Sequence, residues 1–205
     1  RDLRMSRGLG DVYKRQVLKE LHDGMRVLDM CTGSGCILLS LLHYSNDCEG
    51  LGVDLSAEAL EVAGRNVLKV LTPEKAEHAH FLQSDLFEKV EGKFEIIVSN
   101  PPYIASAEVE KLMPEVRDHE PRMALDGTED GLYFYRRIIE EAGKHLVSSG
   151  MLFFEIGYDQ GQAVSELMRT EGYCDVQVVQ DYAGLDRVVF GTYVTVQPAP
   201  FAKSR

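Results

Sequence analysis

Cysteine is scarce: Cys31, Cys36, Cys48 and Cys174 are the four that 205 residues contain. They form no C-x-x-C pair and no zinc-ribbon spacing, which excludes a disulfide scaffold and points to thiols in a reducing compartment. Long apolar runs are missing as well. None approaches the roughly 18–20 residues of a membrane helix, and the N-terminus carries no charged-then-apolar leader. Positive charge is in short supply, with 22 Lys+Arg against 33 Asp+Glu and a net charge of −11. Such a surface has no general electrostatic footprint for DNA or RNA phosphates. His78 and His80 find no third ligand nearby in sequence, so no metal site is expected. What is present is 44% hydrophobic and 27% charged, the composition of an ordinary globular protein with one large domain. The expectation is a cytoplasmic protein that contacts neither membrane nor nucleic acid directly.

Residues 1–16 carry Arg1, Arg4, Arg7, Lys14 and Arg15, two glycines and no sustained apolar period. They read as a foreign or linker segment outside the fold, and 197–205, with two prolines, reads as a disordered tail. From residue 17 to 196 strand and helix patterns alternate. Strands are predicted at 26–30, 51–54, 79–83, 94–99, 151–156, 176–181 and 188–194. Helices are predicted at 36–44, after a Ser56 cap, at 132–146 and at 160–171. Leu60, Ala63, Gly64, Val67, Leu68 and Leu71 form the apolar stripe of the second helix, and Leu132, Tyr135, Ile139, Ala142 and Leu146 that of the third. Short connections between alternating elements predict a mostly parallel, doubly wound sheet with helices on both faces. The link at 182–187 is too short for a parallel crossover, so the last two strands pair as a hairpin and one strand of the seven is antiparallel.

Three motifs carry chemistry. Val27-Leu-Asp-Met-Cys-Thr-Gly-Ser-Gly35 is a strand, a small-residue turn and a helix start. Small residues let the backbone approach a ligand at a helix N-terminus with unpaired N–H groups. The turn is not G-x-G-x-x-G and has no Walker lysine, so NAD, a nucleotide and S-adenosylmethionine all remain open. Asp54 ends the next strand, nineteen residues after Gly35, where an acid accepts from both ribose hydroxyls of an adenosine. The third motif is Ile97-Val-Ser-Asn-Pro-Pro-Tyr-Ile104. Asn100 follows a buried strand at its carboxyl end, and two prolines remove N–H donors and hold the backbone extended. The Asn100 amide oxygen and the Pro101 carbonyl can together accept both N–H groups of a planar –NH2, a carboxamide or an exocyclic base amine. Tyr103 adds a flat ring. Asn-Pro by itself is a common strand-capping turn; the longer motif after a buried strand is not.

Residues 26–193 resemble a class I S-adenosylmethionine-dependent methyltransferase with a Rossmann-like α/β fold. More narrowly, Ser99-Asn-Pro-Pro-Tyr-Ile-Ala105, Glu120-Pro-Arg-Met-Ala-Leu125, Asp130-Gly-Leu-Tyr-Phe-Tyr-Arg-Arg-Ile-Ile139 and Phe154-Glu-Ile-Gly157 are similar to the HemK/PrmC family. The resemblance implies methylation of the glutamine side-chain nitrogen, N5, in the Gly-Gly-Gln loop of peptide chain release factors, with S-adenosylhomocysteine as product. It implies cofactor contacts from Thr32, Gly33, Ser34 and Gly35, with Asp29 near the cofactor's amino group and Asp54 at the ribose. Asp85 and Leu86 would meet the adenine, Leu86 by an apolar contact. Asn100, Pro101, Pro102 and Tyr103 would hold the substrate amide, with Asn100, Pro101 and Tyr103 carrying the catalytic role and Asn100 also touching the cofactor. Cys31 stands where relatives commonly have glycine, and a shifted backbone is expected there. On that resemblance residues 17–196 are expected to be the catalytic domain without the family's small helical N-terminal domain.

Arg122 is expected to form an ion pair within the chain, Arg187 to be structural, and Tyr133-Phe134-Tyr135 to pack in the core. Glu155 either orients the clamp or caps a turn. Competing readings are glutamine methylation of a ribosomal protein, adenine-N6 or cytosine-N4 methylation of DNA, and a cofactor-binding module without turnover.

Overall fold

The structure, a computed structural model, describes residues 3–113 and 121–194. Glu120 and the tail 197–205 lie outside the described residues. Seven strands, β1 (Arg26–Met30), β2 (Glu49–Asp54), β3 (Ala79–Gln83), β4 (Phe94–Ser99), β5 (Leu146–Glu155), β6 (Tyr173–Gln180) and β7 (Asp186–Tyr193), form one sheet in the order β3-β2-β1-β4-β5-β7-β6. β1 to β5 run parallel. β7 runs antiparallel to both β5 and β6, as the short link before it requires.

Period-two alternation sends successive side chains to opposite faces, and each face carries its own core. In β4, Ile97 packs into one cluster while Ile96 and Val98 pack into the other; in β5, Leu152 and Phe154 are divided from Phe153 in the same way. A strand buried on both faces is therefore apolar throughout. The helices Tyr133–Ala142 and Gly161–Thr170 cover the first face through Ile138, Ile139, Val164 and Met168. The helix Cys36–Tyr44 covers the second face through Leu38, Leu39, Leu41 and Leu42.

Three boundaries and one buried position differ from the sequence reading. The helix Leu3–Glu20 runs across residue 16, and Tyr13 and Val17, one helical turn apart, are fully buried in the second core. The Tyr13 hydroxyl donates to the carbonyls of Ser99 and Phe153 and accepts from Ser99 N at 2.9 Å. That segment is thus part of the fold from Tyr13 on, with too few buried positions to show as a period. β5 begins at Leu146, five residues early, because a register shift against β4 accommodates the polar 147–150 stretch. The helix before it accordingly stops at Ala142, ahead of Gly143. In Ala57–Val70 the Ser56 hydroxyl caps Ala59 N as expected, but Leu68 is 75% exposed.

Candidate functional site

The register aligns the carboxyl ends of the central strands. Met30 lies beside Val53 of β2 and Ser99 of β4, so the next residues along, Cys31, Asp54 and Asn100, emerge at one rim. β1 is where the strand order reverses, the crevice position at which open α/β sheets bind ligands. A cavity of about 550 Å³ opens there, of the size that takes a nucleoside-sized molecule.

The turn after β1 is shaped from behind. Asp29 is fully buried; its Oδ2 accepts from the Thr32 hydroxyl at 2.6 Å and from Leu38 N at 3.2 Å. Its Oδ1 is buried without a partner among the described residues. Burial pushes the Asp29 carboxyl up to about 7 against the pull of those two donors. Cys31 takes φ 60°, the left-handed region where glycine is at ease, and burial raises its thiol well above the ordinary range. Thr32 N bonds Val53 O at 2.9 Å. Asp54 closes the arrangement, one carboxylate oxygen accepting from Gly33 N at 2.8 Å and the other from Ser56 N at 2.9 Å.

Of the residues expected at the cofactor, Cys31, Gly33, Asp54, Asp85, Leu86 and Asn100 border the cavity. Asp29, Thr32, Ser34 and Gly35 do not. Asp29, expected near the cofactor's amino group, does not border the cavity: its Oδ2 holds the turn through the Thr32 hydroxyl and Leu38 N, and its Oδ1 keeps no partner among the described residues. Asp85 pairs with Arg137 at 3.1 Å, and Leu86 is 5% exposed with φ 46°. Pro102 reaches the cavity, whereas Pro101 is buried and Tyr103 half-buried beside it. Burial raises the Tyr103 phenol, the Glu155 carboxylate adding to the shift and Arg187 opposing it.

Two contributors lie in motifs that the sequence singled out without giving them a place at the cavity. Phe134, expected in the core with its neighbours, packs against the core and also borders the cavity; Tyr135 is fully buried and Tyr133 is 40% exposed. The turn Arg122–Leu125 forms a wall of the cavity. It is strapped down by Ile104 N to Leu125 O at 3.0 Å and Gly127 N to Ile104 O at 2.8 Å. Arg122 makes the ion pairs expected of it, with Glu110 at 2.9 Å and Asp126 at 3.3 Å. Arg187 pairs with Asp181 at 3.0 Å, a contact largely out of solvent. The four cysteines are free, Cys48 buried and Cys36 and Cys174 exposed. Among the described residues no group of three His, Cys, Asp or Glu could hold a metal ion, and no helix is long and apolar enough to cross a membrane.

A family model described as the methyltransferase small domain matches residues 11–116. The chain belongs to that family. It is 43% identical over 179 residues to the release factor glutamine methyltransferase of Thermodesulfovibrio yellowstonii, covering 87% of this chain and 62% of that protein. It is 45% identical over 164 residues to the protein of the same name from Agrobacterium fabrum, covering 80% of this chain and 56% of that one. The chain thus spans about three-fifths of the length of the curated relatives it matches. The crystal structure of a protein-(glutamine-N5) methyltransferase (release factor-specific) from Alicyclobacillus acidocaldarius superposes with a TM-score of 0.51 at 26% identity, over 93% of this chain and 92% of that one.

The methyltransferase domain's cavity fits S-adenosylmethionine on its own chemistry. Gly33 at the turn permits close approach, the Asp54 and Asp85 carboxylates are acceptors that hydroxyls and an amine can use, and Leu86 and Phe134 offer apolar surface.

Proposed function

We propose that this domain transfers the methyl group of S-adenosylmethionine to the N5 nitrogen of the glutamine in the Gly-Gly-Gln loop of peptide chain release factors. The observation that carries the reading is that Asn100 and Pro102 share one cavity with Asp54 and Asp85, so an amide clamp and a nucleoside site adjoin. The names of relatives at 38–45% identity support the same choice of substrate.

When bound, the cofactor supplies an electrophilic methyl on a sulfonium, which the amide nitrogen attacks in line as the neutral thioether leaves. The chain's own residues orient and desolvate. Asp54, fixed by Gly33 N and Ser56 N, keeps lone pairs for ribose hydroxyls. Asp85, aimed by Arg137, would accept from the adenine amine, and Leu86 and Phe134 would supply apolar contact to the ring. The Asn100 oxygen and the Pro101 carbonyl accept the two substrate N–H bonds. A carboxamide lone pair is delocalised and a poor nucleophile; two accepted bonds raise electron density on nitrogen and point it at the methyl carbon. Tyr103 walls the amide from water, and the proton that nitrogen sheds leaves to solvent after transfer. No covalent intermediate is needed.

Labelled S-adenosylmethionine is to be offered with three acceptors in parallel: an intact release factor, ribosomal proteins and duplex DNA. Label is expected on the release factor and lost when its loop glutamine becomes alanine; label on DNA or on a ribosomal protein alone overturns the reading. In the same assay Asn100→Ala is expected to lower turnover about 10²–10³-fold, the worth of a transition-state acceptor, with cofactor Kd within twofold. A cofactor Kd that rises in step with the fall in turnover refutes the role given to Asn100.

A further inference from the structure

An amide clamp works only if its acceptors keep one direction, and a single side chain ties the loop that bears them to three other segments. Gln160 stands just ahead of the helix Gly161–Thr170 and is half-buried. Its Nε2 donates to Tyr103 O at 2.9 Å and to Gly131 O at 3.3 Å. Its Oε1 accepts from Gly157 N at 3.0 Å and lies 3.5 Å from the Tyr135 hydroxyl, which donates to Glu155 O at 3.0 Å. Both N–H donors and the oxygen are engaged, so the amide fits in one orientation only. The cage is built around it. A Cβ at Gly157 would come within 2.9 Å of Oε1, and one at Gly131 within 3.0 Å of Nε2. Gly127 closes the other side, where a Cβ would meet Tyr103 Cα at 2.8 Å and Pro102 O at 2.9 Å. Gln160 is not among the residues bordering the cavity; it acts on the backbone behind.

We infer that Gln160 is a positioning residue for the clamp: by holding the Tyr103 carbonyl it sets the direction of the Asn100 and Pro101 acceptors. The coupling is mechanical. Prolines 101 and 102 have φ locked near −65°, leaving few soft torsions between the pinned carbonyl and the acceptors. The inference rests on the reading of this loop as the substrate clamp.

The test compares Gln160→Leu, which keeps the volume and loses every bond, with Gln160→Glu, which turns an oxygen toward two carbonyls. Both are expected to lower kcat at least 10-fold with S-adenosylmethionine Kd within about twofold, because the turn after β1 shares no bond with Gln160. For Gln160→Glu the deficit is expected to shrink as pH falls, since a protonated carboxyl again donates to Tyr103 O; Gln160→Leu is expected to show no such recovery. A purely structural loss does not separate the two variants by pH. Amide hydrogen exchange supplies a readout free of turnover: faster exchange over 104–106 and 127–131, unchanged exchange over 32–38. Unaltered kcat, or a cofactor Kd that rises in step with the fall in kcat, overturns the inference. A wild-type chain that transfers no methyl to a release factor overturns the clamp reading instead, and unchanged exchange at 104–106 in both variants then overturns the role of Gln160 as well.

Discussion

Asp29 links the shape of the turn to pH. Folded, its carboxyl is held by burial near 7; unfolded it titrates near the ordinary 3.8. Between those values the folded chain binds a proton that the unfolded chain does not, so stability falls as pH rises across the window, by about 1.4 kcal/mol per unit. The contribution is fully present below the lower value and lost above the upper one. Asp29→Asn keeps an oxygen for the Thr32 hydroxyl and Leu38 N and cannot ionise. Denaturant unfolding of both proteins at pH 5 and pH 8 is expected to show the wild type losing about 2–3 kcal/mol relative to the variant. Parallel pH profiles refute the assignment. At this scale the sequence put Asp29, Asp54, Asp85 and Asn100 at or just past the ends of apolar strands, a local pattern, and Asp54, Asp85 and Asn100 border the cavity. Which way Asp29 faces was not legible: the Thr32 hydroxyl of the loop and the Leu38 amide of the helix that claim its Oδ2 arrive only when the turn closes.

The segment after β4 depends on a second segment twenty residues on. Ile104 and Asp126 form an isolated parallel bridge, and the Ser106 hydroxyl and Thr128 N both donate to Asp126 Oδ1, at 2.6 and 2.9 Å. These bonds hold the carboxyl of Asp126 below its usual range, the Ser106 hydroxyl contributing most. Gly131, at φ +72°, packs where a Cβ runs into the Tyr103 carbonyl. Gly131→Ala combines positive-φ strain with backbone overlap that no side chain can relieve, and about 1–3 kcal/mol of stability is expected to go. For a chain of this size that is a melting point lower by roughly 2–4 °C per kcal/mol, read by calorimetry. An unchanged melting point shows that the two segments do not bear on one another. The alternation of strands and helices was readable here, since each element's apolar period is its own. The strap was not, because 105–129 has no sequence period and the bonds that hold 125–128 come from 104–106 in the loop after β4.

Across the whole molecule, the nucleoside site joins β1, β2 and β4 into one rim, so ligand binding should register as global stability. Cofactor at 100 times its Kd is expected to add about 2.7 kcal/mol, a melting point higher by roughly 5–10 °C, with NAD giving no shift and Asp54→Ala removing most of it. A cofactor without effect on the wild type refutes the site. The sequence alone determined the doubly wound sheet and the antiparallel last strand. Each follows from short-range facts: side-chain period and the length of a link. Tertiary structure alone decided that Phe134 borders the cavity, that residues from Tyr13 belong to the second core, and that Gln160 ties together loops at 103, 131 and 157. Those roles are contacts between segments far apart in the chain, and a contact of that kind has no pattern until the sheet has brought its two ends together.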